Sequence, residues 1–566
     1  MTFDRPTALR RLADEHFDVL VVGGGVTGAG TALDAASRGL RTALVERHDF
    51  ASGTSSKSSK LVHGGLRYLQ QREFRLVYEA LAERQRLRRT APHLVRLLPF
   101  LIPVLGKGGV IHPKLAKALN SALWLYDLTG GARIGKLHQR ISAEETLAHM
   151  PTLRAERVVG GFVYYDAQTD DARLTLTLAR TAADHGAAVA NRCSVVGITK
   201  GLDGRVAGVT VRPEEGGADI EVAASVVVNA TGVWSDEVRA LDEGGDPDSI
   251  RPAKGIHITV PWDKVRNDIA AVVPVPKDKR SVFVVPVAKG AGTADDGPDR
   301  TYVGTTDTDY DGPLDDPQCT PDDVAYLLGA INASVSEPLS TDDVLGTWAG
   351  LRPLVKGADA ESRTADLSRR HKVAASETGM ITVTGGKLTT YRKMAADTID
   401  AAVDALGRGG RSRTKKLRLR GAEGFTELVS EATSAAERLG VTAELLDHLS
   451  HRHGGDARTV AAMVTADPTL GEPIVEGLPY VRAEVVYAVR YEMARTVDDV
   501  LTRRMPARWL DGLASADAAD ETARLMAPDL GWSQDEAAAE AEAFRRSVMA
   551  QRAASGLPQT TTPAGR

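Results

Sequence analysis

The chain has 566 residues, with 70 Lys and Arg against 75 Asp and Glu, and a formal net charge of −5. That balance excludes a basic nucleic-acid sheath, 43% hydrophobic and 26% charged residues exclude a predominantly disordered chain, and the length, about three or four domain units, excludes a small module. Cys193 and Cys319 stand far apart, outside any CxxC or Cys/His cluster, so no disulfide scaffold and no metal site is expected.

From Phe17 the sequence FDVLVVGGGVTGAGTALDAASRGLRTALVERHDF passes from an apolar run to helical spacing and back. It reads as strand, glycine turn, helix and strand, with the helix starting near Thr27 and stopping at Gly39. The stretch from Leu94 to Gly130 interleaves apolar patches with Arg96, Lys107, Lys114 and Lys117. It is expected to be helical, either buried or lying on a membrane surface. The strand, glycine, helix grammar returns at Ser225 (SVVVNATGVWSDEVRAL) and at Met380 (MITVTGGKLTTYRKMAADTIDAAV), so the sheet is assembled from distant parts of the chain. Between these lie KGIHITV from Lys254, SVFVVPV from Ser281 and TYVGT from Thr301, short strands of an inserted antiparallel sheet.

The expected organisation is an α/β nucleotide-binding domain in three pieces (1–90, 141–250 and 346–406), a helical segment (91–140) and an antiparallel substrate domain (251–345). A linker (407–423), a helical C-terminal domain (424–552) and a disordered tail (553–566) complete it. The N-terminus lacks a signal-peptide core, and no stretch reaches about 18 uncharged apolar residues, so an intracellular chain without a membrane span is expected.

Gly23, Gly25 and Gly28 form G-x-G-x-x-G between a strand and a helix, where glycines permit a tight turn, approach of a pyrophosphate and close helix packing. Glu46, at the end of the second strand, is placed to accept hydrogen bonds from ribose hydroxyls and argues against a 2′-phosphate. The segment SGTSSKSSKLVHGGLRYL from Ser52 favours FAD over NAD, because seven small or hydroxyl residues between Ser52 and Ser59 offer donors to a long cofactor. Glycine totals 54 residues, about 9.5% against an ordinary share of about 7%, and its clusters fall at these turns and at Gly64-Gly65 and Gly385-Gly386.

Several motifs are more specific: ERHDFASGTSSKSSKLVHGGLRYL, YYDAQTDDARLTL from Tyr164, YVGTTDTDYDG from Tyr302, WAGLRPL from Trp348, SRRH from Ser368, GGKLTTYRKMA from Gly385 and YAVRYEMARTVDDVLTRR from Tyr487. Through them the chain resembles the FAD-dependent, respiratory glycerol-3-phosphate dehydrogenases of bacterial type, within the flavoproteins related to D-amino-acid oxidase, from about Phe17 to about Asp511. The resemblance implies a Rossmann-like FAD domain of the D-amino-acid-oxidase and glutathione-reductase kind. It also implies oxidation of sn-glycerol 3-phosphate to dihydroxyacetone phosphate, electron delivery to quinone, and peripheral attachment to an anionic membrane surface on the cytoplasmic side. No D-x-[DN]-x-[DN]-G loop occurs after Lys416, so calcium regulation is not expected.

The cofactor contacts so implied are Gly23, Gly25, Val26, Thr27, Gly28, Glu46, Arg47, Ser52, Gly53, Thr54, Ser58, Ser59, Lys60, His63, Gly64 and Gly65, then Ala230, Thr231, Gly232 and Trp234, then Gly386, Lys387, Leu388 and Thr389. A phosphomonoester needs arginines, and the candidates are Arg67, Arg352 and Arg369, with Tyr68 and Thr389 as second contacts. Oxidation of a secondary alcohol is helped by a base; alternation places His257 on the face opposite Ile256 and Ile258, and the resemblance makes it the candidate proton acceptor or orienting group. Arg352 and Lys387 join it as catalytic candidates that stabilise negative charge. A glycerol-3-phosphate oxidase, an amine or amino-acid oxidase and a non-catalytic flavin-binding protein are the competing readings. For Arg490, Glu492, Arg495 and Asp499, helix-surface ion pairs, a domain interface and a homodimer contact all remain open.

Overall fold

Four strand ends converge on one edge of a parallel sheet, and that edge organises the molecule. The computed structural model describes residues 3–65, 73–106, 116–128, 135–276, 280–287, 299–356 and 371–560. Phe17–Val22, buried at all six positions, pairs in parallel with Thr42–Val45 on one side and Ile220–Asn229 on the other. Ala188–Ala190 and Ile381–Thr384 extend the sheet outwards, again in parallel. The chain therefore leaves four of these strands at Gly23, Glu46, Ala230 and Gly385, all on the same edge. The helix after Phe17–Val22, Val26–Ser37, has Gly25 as its N-cap, and Gly39 comes just after it with φ of +86°, within a residue of the expected limits.

The second sheet has ten strands among the described residues and meets the loop leaving that edge, through Leu351 to Thr54 and Trp348 to Ser58. Ile250–Pro261 paired antiparallel with Arg300–Gly304, which pairs in turn with Ser281–Val287, is the expected inserted sheet. The sheet reaches further along the chain than the sequence suggests. Arg96–Leu105, inside the segment expected to be helical, is a strand paired antiparallel with Val158–Gln168 and in parallel with Ala270–Pro274. Pro99 and Pro103 explain this outcome: inside a helix each would cost about 3 kcal/mol and break a hydrogen bond. Among the described residues, the 91–140 segment does contain a helix, Ala116–Tyr126. Val158–Gln168 and Gly346–Val355, assigned from sequence to the nucleotide domain, also belong to the second sheet.

The C-terminal part is helical from Phe425–Ser430 through Gln534–Ala554, as expected. It docks through buried charges rather than through the solvated pairs that helix spacing allows. Glu492 accepts from Arg173 and, at 3.0 Å, from Arg180, both on helix Asp171–Asp184 of the nucleotide domain. Burial alone would raise the Glu492 carboxyl, but Arg173 and Arg180 outweigh it and hold it at about 2. Asp499 is likewise fully buried, whereas Arg490 and Arg495 make exposed pairs with Asp529 and Glu215.

Two segments expected to be loose are tied down. In 407–423, Ser412 and Thr414 donate to Asp34 at 2.5 and 3.0 Å, and Leu419 and Ala422 are buried. After helix Gln534–Ala554, Ser555 and Leu557 are buried, and Leu557 packs into the core beneath the second sheet. Arg552 donates to the carbonyls of Pro558 at 2.7 Å and Leu345 at 3.1 Å, closing this turn onto the sheet. Residues 555–560 are thus part of the fold, and 561–566 lie outside the described residues. Leu557→Ala should lower stability by about 2 kcal/mol or more, read as a fall in thermal midpoint; an unchanged midpoint would show that the tail is not docked.

Candidate active site

The glycine turn is a cradle that side chains would fill. A Cβ at Gly28 would lie 1.8 Å from the Gly23 carbonyl oxygen, and Gly23 itself has φ of +107°. From the adjoining strand end, Glu46 accepts from the backbone N–H of Gly24 at 2.6 Å and of His48 at 2.9 Å. Burial pushes its carboxyl upward against those bonds. Ser55 Oγ accepts from Val26 N–H at the first turn of the helix, so Thr27 and Gly28 continue the same N-terminal turn.

The Ser52–Lys60 loop runs from this turn to the second sheet. Asp171, which the sequence reading did not single out, anchors it: Ser58 donates through N–H and Oγ at 3.0 and 2.6 Å, and Lys60 Nζ donates at 2.5 Å. From the other side, Thr54 Oγ1 donates to Leu351 O at 2.6 Å, Tyr302 OH to Ser59 O at 2.9 Å and Trp348 Nε1 to Ser58 O at 3.2 Å. Asp171 opens the helix capped by Asp170; the acidic pair in QTDDARL was the available signal.

The next segment is pinned twice. Thr389 Oγ1 accepts from His63 N–H at 3.1 Å and lies 3.3 Å from His63 O, bringing the GGKLTTYR and LVHGG motifs together. Gly64 N–H donates to Tyr126 OH at 3.1 Å and to Asp166 Oδ1 at 3.3 Å, and Arg84 donates to the same carboxylate. Tyr126, Asp166 and Arg84 were missed from sequence. The His63 imidazole is pushed down to about 4, chiefly by burial, with Asp166 opposing and Lys387 and Arg84 adding to the fall. Lys387 precedes the turn Leu388–Thr390, and Gly386 beside it has φ of +84°.

His257 lies on Ile250–Pro261 opposite Gly304 and Trp348. Ile256 and Ile258 enter the core and His257 takes the other face, as alternation requires. Its ring stacks on Trp348 at 4.7 Å and 9°, and Nε2 is 2.9 Å from Ser59 Oγ. Nδ1 has no hydrogen-bond partner among the described residues. Burial first, then Arg352 and Lys60, hold its imidazolium well below the ordinary range, so the ring is neutral. On the neighbouring strand Arg352 donates to Asp307 Oδ1 at 3.2 Å, Thr306 O at 3.1 Å and Thr305 Oγ1 at 3.2 Å.

The turn after Ile220–Asn229 completes the edge. Asn229 Oδ1 accepts from Thr231 Oγ1 at 2.6 Å, Ala230 N–H bonds Val22 O, and Gly232 starts the turn that carries Trp234. The Trp234 ring lies against Gly53 and donates to Asp315. Arg47 also pairs with Asp315 and stands over Trp234 at 5.2 Å. Gly65 ends the described part of its segment; Arg67, Tyr68 and Arg369 lie outside the described residues.

A glycine cradle at a helix N-terminus, a carboxylate at the second strand end and a hydroxyl-rich loop between two sheets fit a long dinucleotide. The family described as "FAD dependent oxidoreductase" matches residues 18–392, and that described as "C-terminal domain of alpha-glycerophosphate oxidase" matches residues 412–537. Glycerol-3-phosphate dehydrogenase 2 of Mycobacterium bovis is 44% identical over 531 residues, 94% of this chain and 87% of that protein. The chain belongs to the FAD-dependent glycerol-3-phosphate dehydrogenase family. The human mitochondrial glycerol-3-phosphate dehydrogenase is 38% identical, covering 91% of this chain and 71% of its own. Among solved structures, glycerol-3-phosphate dehydrogenase from Bacillus halodurans complexed with FAD aligns with a TM-score of 0.77 at 29% identity, over 99% of this chain and 98% of its own. For this FAD-dependent family member, Gly28→Ala should give folded protein without yellow colour, read as the ratio of absorbance at flavin and protein wavelengths; a wild-type ratio would remove the glycine turn from the cofactor site.

Proposed function

We propose that this protein oxidises sn-glycerol 3-phosphate to dihydroxyacetone phosphate and passes the electrons to a membrane quinone. The observation that carries the reading is the placement of Arg352, a partly exposed guanidinium on a strand next to neutral, buried His257. In this reading Gly23, Gly25 and Gly28 receive the pyrophosphate of FAD, Glu46 its ribose, and the Ser52–Gly65 and Gly386–Thr389 segments the remainder. When bound, FAD supplies the acceptor for the hydrogen and electron pair leaving the carbinol carbon.

Arg352 binds the phosphate dianion, joined by Arg67 and Arg369, because guanidinium forks match phosphate oxygens. Thr389 and Tyr68 orient the glycerol, and Lys387 stabilises negative charge on the carbinol oxygen. His257 accepts the hydroxyl proton at Nδ1: with Nε2–H donating to Ser59 Oγ, the Nδ1 lone pair is free of described partners. Arg352 disfavours the imidazolium, and a bound dianion offsets that repulsion. Substrate binding thereby raises the proton affinity of His257 at the moment it is needed.

The anionic inner face of the membrane is the surface implied by the resemblance, and exposed apolar side chains support peripheral attachment. Phe74 and Tyr78 on helix Phe74–Thr90, Trp124 and Leu125 on Ala116–Tyr126, and Leu128 after it are all exposed, while the inner faces of both helices share one core. Among the described residues no helix is long and apolar enough to cross a membrane.

Arg352→Ala should raise KM for glycerol 3-phosphate about 10- to 100-fold while FAD content stays unchanged; an unchanged KM would remove Arg352 from the phosphate site. In the same assay the wild type should reduce a quinone with little peroxide. Stoichiometric peroxide would instead identify an oxidase.

A further inference from the structure

The motif YAVRYEMARTVDDVLTRR takes no part in the oxidation above, yet its charges point at the cofactor domain. Asp499–Arg504 is a single π-helical turn, a form found mostly where function constrains a helix. Arg504 grips Asp49 bidentately, Nη1 to Oδ2 at 2.5 Å and Nη2 to Oδ1 at 2.9 Å, and Arg503 Nε adds a third bond at 2.7 Å. Asp49 and Arg504 are each about 1% exposed. Asn191 supplies one further bond to Asp49, at 3.1 Å.

Asp49 stands in the short segment that joins Glu46 to the Ser52–Lys60 loop. Its carbonyl accepts from Ser52 N–H at 3.1 Å, so its position sets where that loop begins. The same π-helical turn takes a second hold: Asp499 accepts from Arg192 at 3.0 Å, and Arg192 N–H bonds His48 O at 2.7 Å. Cys193 N–H in turn bonds Glu46 O at 2.8 Å. Both grips therefore close on the residues between Glu46 and Ser52.

A buried carboxylate that loses its guanidinium partners must move to water or take up a proton. Among the described residues the other side-chain donor to Asp49 is Asn191, which is neutral, and Arg47 is engaged with Asp315. We propose that Arg503 and Arg504 are positioning residues for the cofactor: acting through Asp49, they hold the Glu46–Ser52 segment in the conformation that receives the adenosine end of FAD. Docking of the helical domain and retention of FAD are then one coupled equilibrium, and FAD must stabilise the Arg504–Asp49 contact as much as that contact stabilises bound FAD. The inference rests on the assignment of Glu46 to the FAD ribose.

The test uses the full chain, stripped of flavin and titrated with FAD while flavin fluorescence is followed. Arg504→Met should raise the FAD Kd about tenfold or more, through loss of charge-assisted bonds to a buried group. Arg503→Gln, which leaves the bidentate Arg504–Asp49 pair in place, should fold and still raise Kd severalfold. Arg490→Gln, which removes only the exposed pair with Asp529 in the same domain, should leave Kd unchanged. Hydrogen exchange supplies a readout independent of mutation: amides of residues 499–504 should exchange more slowly with FAD than without it. The inference is overturned if Arg503→Gln lowers the thermal midpoint but keeps Kd within about twofold of wild type, or if exchange at 499–504 ignores FAD. Failure of the wild type to bind FAD would overturn the cofactor reading itself, and a tight wild type with indifferent variants would overturn only the coupling.

Discussion

One buried carboxylate sets the geometry on which the site depends. Asp171 begins the helix that packs on the nucleotide-binding sheet, and it receives Ser58 N–H, Ser58 Oγ and Lys60 Nζ from a loop with little regular structure. Burial pushes its carboxyl upward, with Lys60 opposing, so the ion pair and the loop conformation depend on one another. Lys60 also stands over Trp348 at 5.8 Å, and Trp348 carries the stacked His257. A single anchor thus fixes the loop assigned to the cofactor relative to the strand assigned to the substrate. Removing one partner of such a buried pair costs about 3–5 kcal/mol, because the other is left uncompensated.

The two sheets divide the labour. The parallel sheet ends its strands at Gly23, Glu46, Ala230 and Gly385, so backbone and one carboxylate face a common edge. The second sheet brings His257 and Arg352 on adjacent strands. Its aromatic core of Tyr302, Trp348 and Trp509 spans to the helical domain, since Trp509 O accepts from Thr259 Oγ1 at 2.8 Å. The helical domain is therefore continuous with both halves of the site: with the substrate sheet through Trp509 and with the nucleotide domain through Arg173, Arg180 and Asp49.

Local features were legible in the sequence. The glycine fingerprint, the helix Val26–Ser37 and Glu46 at a strand end arise from neighbouring residues, and the alternation around His257 assigned its face correctly. Asp171, Asp166, Tyr126 and Arg84 were not legible, because their roles arise from pairing across 62 to 113 positions of chain. The strand Arg96–Leu105 was hidden by its continuous apolar run, in which two prolines were the better guide than hydrophobicity. The tail failed for a different reason. Its Ser, Gly, Pro and Gln composition resembles disorder, yet one leucine and a few backbone bonds suffice to dock it.

Anaerobic mixing of the yellow protein with sn-glycerol 3-phosphate shows whether a phosphorylated secondary alcohol is the reductant. Flavin absorbance should bleach in a single turnover with that substrate and persist with free glycerol at the same concentration. Retention of the oxidised spectrum with glycerol 3-phosphate, or equal bleaching by both alcohols, would rule out selective oxidation of the phosphorylated alcohol.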